Sequence, residues 1–159
     1  MIYYMKQKAF SLKEKFDIVD EKGTPRYYCE GTSIWTYKPV VLYDMNGVEL
    51  LQVKRKMWTW MPQFEIFMDG QLIAKVEKVF RWFKPEYKIE GMGLSVEGDV
   101  WGLNYSILKD GIEIAHINKK VWTWTDSYEI DVEDENYTEI ILCLVIAIDN
   151  VLDEQEANS

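Results

Sequence analysis

Nine consecutive residues near the C-terminus, Ile140 to Ile148, carry no polar side chain. The run is far shorter than the roughly twenty residues a membrane-spanning helix needs, so the chain is not expected to cross a membrane and the segment must be hidden by protein. Apolar residues recur at helical spacing through Ile141, Leu144, Val145, Ile148, Val151 and Leu152. Between 140 and 148 every face of such a helix is apolar, and a helix of that kind has to be wrapped on all sides. A buried strand competes, because Ile and Val are common here, but the spacing continues to Leu152 and favours a helix. Asn136 followed by Glu139 has the form of a capping box. The spacing therefore predicts a helix over about 137–152 and an acidic tail over 153–159.

The rest of the chain must supply the wrapping. Seven Trp, ten Tyr and an aromatic share of 14% favour a pleated, half-buried surface. Short β-branched and aromatic segments between turn signals predict about twelve strands. They fall near 1–5, 15–20, 26–33, 38–44, 47–56, 63–68, 71–79, 86–90, 94–97, 104–109, 112–119 and 127–131. Asn46-Gly47, Asp69-Gly70 and Asp110-Gly111 read as type I′ hairpin turns, whose two positive-φ residues suit right-twisted strands.

A degenerate internal repeat supports this. VKRKMWTWMPQFEI from Val53, VEKVFRWFKPEYKI from Val76 and INKKVWTWTDSYEI from Ile117 align without gaps. Each opens on an aliphatic residue, passes Met57, Phe80 or Val121 and then Trp60, Phe83 or Trp124, reaches Phe64, Tyr87 or Tyr128, and closes on Ile66, Ile89 or Ile130. The unit reads as strand, aromatic bend, strand. A diverged copy containing Gly91, Gly93, Gly98 and Gly102 is expected between the second and third. Repeated hairpins need neighbours to cover their apolar face, and closure into a barrel removes exposed edges.

The formal charge of -9 is uneven. From Asp131 onward there are nine acids and no Lys or Arg, which leaves 18 acids against 18 bases in residues 1–130. Without a broad basic stripe the chain is not expected to bind nucleic acid, since phosphate neutralisation dominates that affinity. Cys29 and Cys143 are too few and too far apart for a disulfide framework or a metal motif. MIYYMKQKAF lacks the apolar stretch of a secretory signal, so a cytoplasmic location is expected.

The run GDVWGLNYSILKDGIEIAHINKKVWTWTDSYEIDVEDE leading into IILCLVIAIDNVL resembles the LURP-one-related family. The most specific pieces are Asp126 to Ile130 after a strand carrying Lys119-Lys120, and Ala147-Ile148-Asp149 within the helix. The resemblance covers nearly the whole chain. It implies the fold shared with tubby C-terminal domains and phospholipid scramblases, a twelve-stranded barrel threaded by a hydrophobic C-terminal helix. It implies little about activity: bacterial members mostly have none established, plant members are linked to defence, and tubby domains bind phosphoinositides through basic residues, an analogy of fold.

Position three of each repeat is basic, Arg55, Lys78 and Lys119. Strand alternation puts it on the same face as the apolar first and fifth positions, and unpaired charge cannot stay buried there. Three readings stand open: the cations lie at the barrel rim and snorkel out, or a bulge re-aims them; they pair with helix acids, Asp149 foremost; or they converge on an anion such as a phosphorylated head group. Trp58 and Trp60 beside Lys54, Arg55 and Lys56, and Trp122 and Trp124 beside Lys119 and Lys120, have the composition of an interfacial anchor. Large aromatics beside a bend more often cap the end of a core. His116 aligns with polar positions of the other copies and reads as a surface residue. There is no nucleophile elbow, phosphate loop or HExxH motif, so no catalytic residue, metal or cofactor is expected.

These readings combine into a mainly β fold, one domain over 1–159, in which a closed antiparallel barrel of about twelve strands (1–131) surrounds the helix. The expected function is a non-enzymatic binding or scaffold domain whose working surface is the barrel rim, its partner an unknown protein or a small anionic ligand. The alternative is a peripheral module that recognises anionic lipid through Arg55, Lys78, Lys119 and the two Trp-Thr-Trp bends, and a second alternative is an enzyme of unknown type.

Overall fold

In a computed structural model of the chain, which describes residues 1–6, 15–31, 38–82, 84–122 and 125–157, the alternation of apolar and polar residues produces twelve strands. They are β1 (Ile2–Lys6), β2 (Lys15–Asp20), β3 (Pro25–Glu30), β4 (Val40–Asp44), β5 (Glu49–Arg55), β6 (Gln63–Met68), β7 (Gln71–Arg81), β8 (Lys84–Glu90), β9 (Leu94–Asp99), β10 (Asn104–Lys109), β11 (Ile112–Trp122) and β12 (Thr125–Val132). A 3-10 turn, Glu135–Tyr137, leads into the helix α1 (Thr138–Ala157). The strands form one antiparallel sheet in the order β8-β7-β6-β5-β4-β3-β2-β1-β12-β11-β10-β9. The sheet curls round α1 into a nearly closed barrel. No ladder joins β8 to β9 among the described residues, although the two lie side by side.

The helix is enclosed as its composition demands. Every residue from Ile140 to Leu152 is buried, and Ile141, Leu142, Cys143 and Leu144, which point in four directions around the axis, are each 0% exposed. Inward residues of the wall, among them Ile18, Leu42, Ile66, Val76, Ile107, Ile117 and Ile130, complete one core with it. No described helix is long and apolar enough to cross a membrane.

The repeat proves to be a hairpin with a fixed register. Position one faces position fourteen in all three copies, as Val53 opposite Ile66, Val76 opposite Ile89 and Ile117 opposite Ile130. Position three faces position twelve: Arg55 opposite Phe64, Lys78 opposite Tyr87, Lys119 opposite Tyr128. The expected fourth copy is β9–β10 with a shorter bend. There Val96 faces Ile107 and Gly98 faces Tyr105, so glycine stands where the other copies carry a cation.

Three local expectations change. Asp69-Gly70 and Asp110-Gly111 have positive φ at both residues, as a type I′ turn requires, but at Asn46-Gly47 only the glycine does. The Asp44 side chain closes that loop instead, accepting the N–H groups of Asn46 and Val48, each at 2.9 Å. The Asp20 loop repeats the device, accepting from Lys22 at 2.9 Å and Thr24 at 3.0 Å. The capping box at Asn136 does not form. Asp134 takes the cap of the 3-10 turn, accepting the Asn136 N–H at 3.1 Å, and the Thr138 hydroxyl donates to the Glu135 carbonyl at 2.9 Å. The far end also differs: the helix continues past Leu152 through Ala157, so most of the expected tail is helical.

Candidate functional site: an aromatic and basic rim

The meander gives the barrel two unlike ends. One carries the tight turns and the entry of α1, closed by the Met1 ammonium donating to the Val132 carbonyl at 2.9 Å while the Val132 N–H returns to the Met1 carbonyl, also at 2.9 Å. The other carries the bends β5–β6, β7–β8, β9–β10 and β11–β12, and it collects the aromatic and basic residues.

On that rim Trp58 is 94% exposed, Trp60 98% and Trp82 92%. Trp58 and Trp60 therefore do not cap the core, contrary to the commoner expectation for aromatics at a bend. Trp58 is also held at φ 59°, a left-handed conformation that a bulky residue seldom adopts. Exposed Lys54 and Lys56 flank this bend, whose base is pinned by the Lys56 N–H donating to the Gln63 carbonyl at 2.8 Å. Trp82 was missed in the sequence reading. Its signal lay in the repeat, where the second copy has Trp at the mid-bend position that is Thr59 and Thr123 in the others.

The three position-three cations share a level but stand on β5, β7 and β11, which are not neighbours in the sheet. Arg55 is half-buried and its guanidinium donates to the Lys56 carbonyl at 3.0 Å. Lys78 is half-buried with its ammonium 5.6 Å from the centre of the Trp101 ring, and burial pushes its pKa down. Lys119 is exposed, and its N–H ties β11 to the β9–β10 bend through the Leu103 carbonyl at 2.9 Å. Lys120 faces the outer wall instead: its ammonium lies 2.6 Å from the Glu129 carboxylate, which also accepts the Tyr4 hydroxyl at 3.1 Å. The Trp122 backbone ends β11 opposite Thr125. The Trp122 side chain and all of Trp124 lie outside the described residues.

Beneath the rim the four repeat units place Phe64, Tyr87, Tyr105 and Tyr128 at one buried level. At this level α1 presents Asp149 and Asn150, each only 3% exposed. The Tyr128 hydroxyl donates to Asp149 Oδ1 at 2.7 Å, so the acid that interrupts the apolar run is held by a wall tyrosine. Tyr105 is driven well above its ordinary pKa by burial, with Asp149 and then Tyr87 adding to the effect. From Asp149 the helix runs on to Ala157, about 12 Å at 1.5 Å per residue.

His116 sits half-buried on the wall with Ser106 opposite, its Nδ1 2.8 Å from the serine hydroxyl. Both thiols are buried and free, and desolvation raises the pKa of Cys29 and of Cys143.

Comparison with known proteins agrees with this fold. The chain is 29% identical over 157 residues to the uncharacterized protein YxjI of Bacillus subtilis (strain 168), covering 98% of this chain and 96% of that one. The X-ray structure of an Arabidopsis thaliana protein, AT5G01750, superposes with a TM-score of 0.61 at 15% identity, over 94% of this chain and 91% of that one, a likeness of fold. The LURP-one-related family model matches residues 1–149, from the first strand into the enclosed helix. With the twelve strands, the threaded helix and a match over that length, the chain belongs to the LURP-one-related family.

Proposed function

We propose that this domain binds rather than catalyses, and that its rim engages an anionic membrane surface. The observation that carries the reading is the group of three almost fully exposed tryptophans on two bends of one barrel end, with exposed Lys54 and Lys56 beside them. Tryptophan gains most where one side of the ring is apolar and the other wet, the condition at the head-group level of a bilayer. Scattered surface apolars are ordinary; a cluster of this size at loop tips, one member in strained backbone, is not. Lys and Arg beside such rings add attraction to anionic lipid within a Debye length of about 10 Å. The barrel interior, where a substrate pocket would otherwise form, is filled by α1. The tubby-like and scramblase-like kinship belongs to this reading, as does a cytoplasmic location, where the anionic leaflet faces and free thiols are the norm.

Sedimentation with phosphatidylcholine vesicles, with and without phosphatidylserine or phosphoinositide, tests it. Binding should need anionic lipid and fall with salt. Replacing Trp58 and Trp60 by Ala should abolish it, and Lys54→Ala with Lys56→Ala should weaken it about thirty-fold at low salt, from roughly 1 kcal/mol per cation. Arg55→Ala, Lys78→Ala and Lys119→Ala should weaken it further. No sedimentation at low salt overturns the proposal.

A further inference from the structure

Among the described residues the wall has one seam, between β8 and β9, and it does not lie on the rim. β8 and β9 end the sheet on either side of it. They are close at the Gly91–Gly93 turn, where the Leu94 N–H donates to the Gly91 carbonyl at 3.1 Å. Towards the bends they part round a cleft of about 750 Å³ lined by Glu86, Tyr87, Val96, Gly98, Asp99, Val100 and Trp101. A second hollow of about 290 Å³ shares Glu86, Tyr87 and Val96 and continues along the outer face.

The glycine at position three of the fourth repeat unit accounts for the gap. Gly98 has φ +109°, and a Cβ there would lie 2.9 Å from the Asn104 carbonyl oxygen and 3.0 Å from Tyr105 Cα. A side chain there would crowd β10, and the position that holds Arg55, Lys78 or Lys119 elsewhere offers no side chain to fill the seam. An edge strand left without a ladder is a ready template for another chain, and proteins normally blunt or cover it.

We infer that the β9 edge accepts an extended segment of a partner protein, which adds as a further strand in the cleft beside β8. The segment's chemistry follows from the walls. Outward residues of the seam are Glu86 and Glu90 on β8 and Glu97 and Asp99 on β9, with Glu77 beside them on β7; Lys88, whose ammonium lies 2.8 Å from Glu90, and Lys75 opposite Glu90 are counter-charges that leave the group net acidic. A segment alternating Lys or Arg with β-branched residues meets these acids on one face and the Val96 and Trp101 surfaces of the cleft on the other. Main-chain bonds supply affinity in this mode and the alternate side chains supply selection.

The test uses a short fluorescein-labelled peptide of alternating Lys and Val, a Glu/Val counterpart, and the Lys/Val peptide N-methylated at every second amide. Anisotropy at low salt should show binding of the first only, with the methylated form at least tenfold weaker, because a ladder needs the N–H groups and simple charge attraction does not. Amide exchange at Ser95–Asp99 should slow when the peptide binds. Glu86→Lys with Glu97→Lys, both exposed positions, should weaken binding at least fivefold, while Trp58→Ala with Trp60→Ala should leave it unchanged, separating this site from the rim. The inference is overturned by no binding, by equal binding of the methylated peptide, or by unchanged exchange along β9.

Discussion

Leu142 and Leu144 are two residues apart on α1, about 200° round its axis, and each is 0% exposed. On an amphipathic helix one of two such positions would face solvent and tolerate truncation. Here each Leu→Ala change removes three buried carbons, about 2.4 kcal/mol of transfer free energy. The cavity left behind raises the expected loss to between about 2.7 and 5 kcal/mol. With a urea slope near 2 kcal/mol/M the unfolding midpoint should fall by about 1.3–2.5 M for either variant. Ile112→Val, at a wall position 71% exposed, serves as the control and should shift stability by under about 0.5 kcal/mol. Urea unfolding followed by tryptophan fluorescence and by far-ultraviolet circular dichroism gives all three values. A loss below about 1 kcal/mol for either leucine would refute enclosure on that side of the helix.

Further outcomes follow from the same interior. Tyr128→Phe removes the hydroxyl held 2.7 Å from Asp149 and should cost about 1–3 kcal/mol, whereas Tyr4→Phe, on the half-exposed outer wall, should cost less than about 1 kcal/mol in the same urea assay. Burial pushes the pKa of Tyr27 up to about 12 and raises those of Tyr3 and Tyr105. Folding favours the neutral phenols, so this stabilisation is complete below pH 10 and disappears as pH rises through about 12. Absorbance at 295 nm should show these tyrosines ionising together with unfolding, and independent, reversible titration of all ten near pH 10 would contradict it.

Much of this was legible beforehand, for identifiable reasons. The strand period, the Asp-Gly hairpins at 69–70 and 110–111 and the repeat are local patterns, and the repeat fixed hairpin register because aliphatic positions one and fourteen must face each other across a strand pair. The helix was readable because a segment apolar on every face has few places to go. Its N-cap was misread because Asp134, two residues upstream of Asn136, forms the 3-10 turn first. Its extent exceeds the expected 152 because apolar spacing stops at Leu152 while the backbone stays helical through the polar residues to Ala157. Exposure of Trp58 and Trp60 depends on the direction in which a bend projects, which residue type does not encode. The β8–β9 seam hinges on Gly98, one of several glycines in that stretch, and only the strand pairing shows that it occupies the cation position of a repeat unit.

Native-state hydrogen exchange of the backbone amides between Ile141 and Leu152 tests enclosure of the helix most directly. Amides buried inside the barrel should exchange only through global opening, with protection equal to the full unfolding free energy from urea and the same denaturant slope. Exchange several kcal/mol faster, with a shallow slope, would mean that the segment opens to water while the strands stay folded, and it would contradict the account.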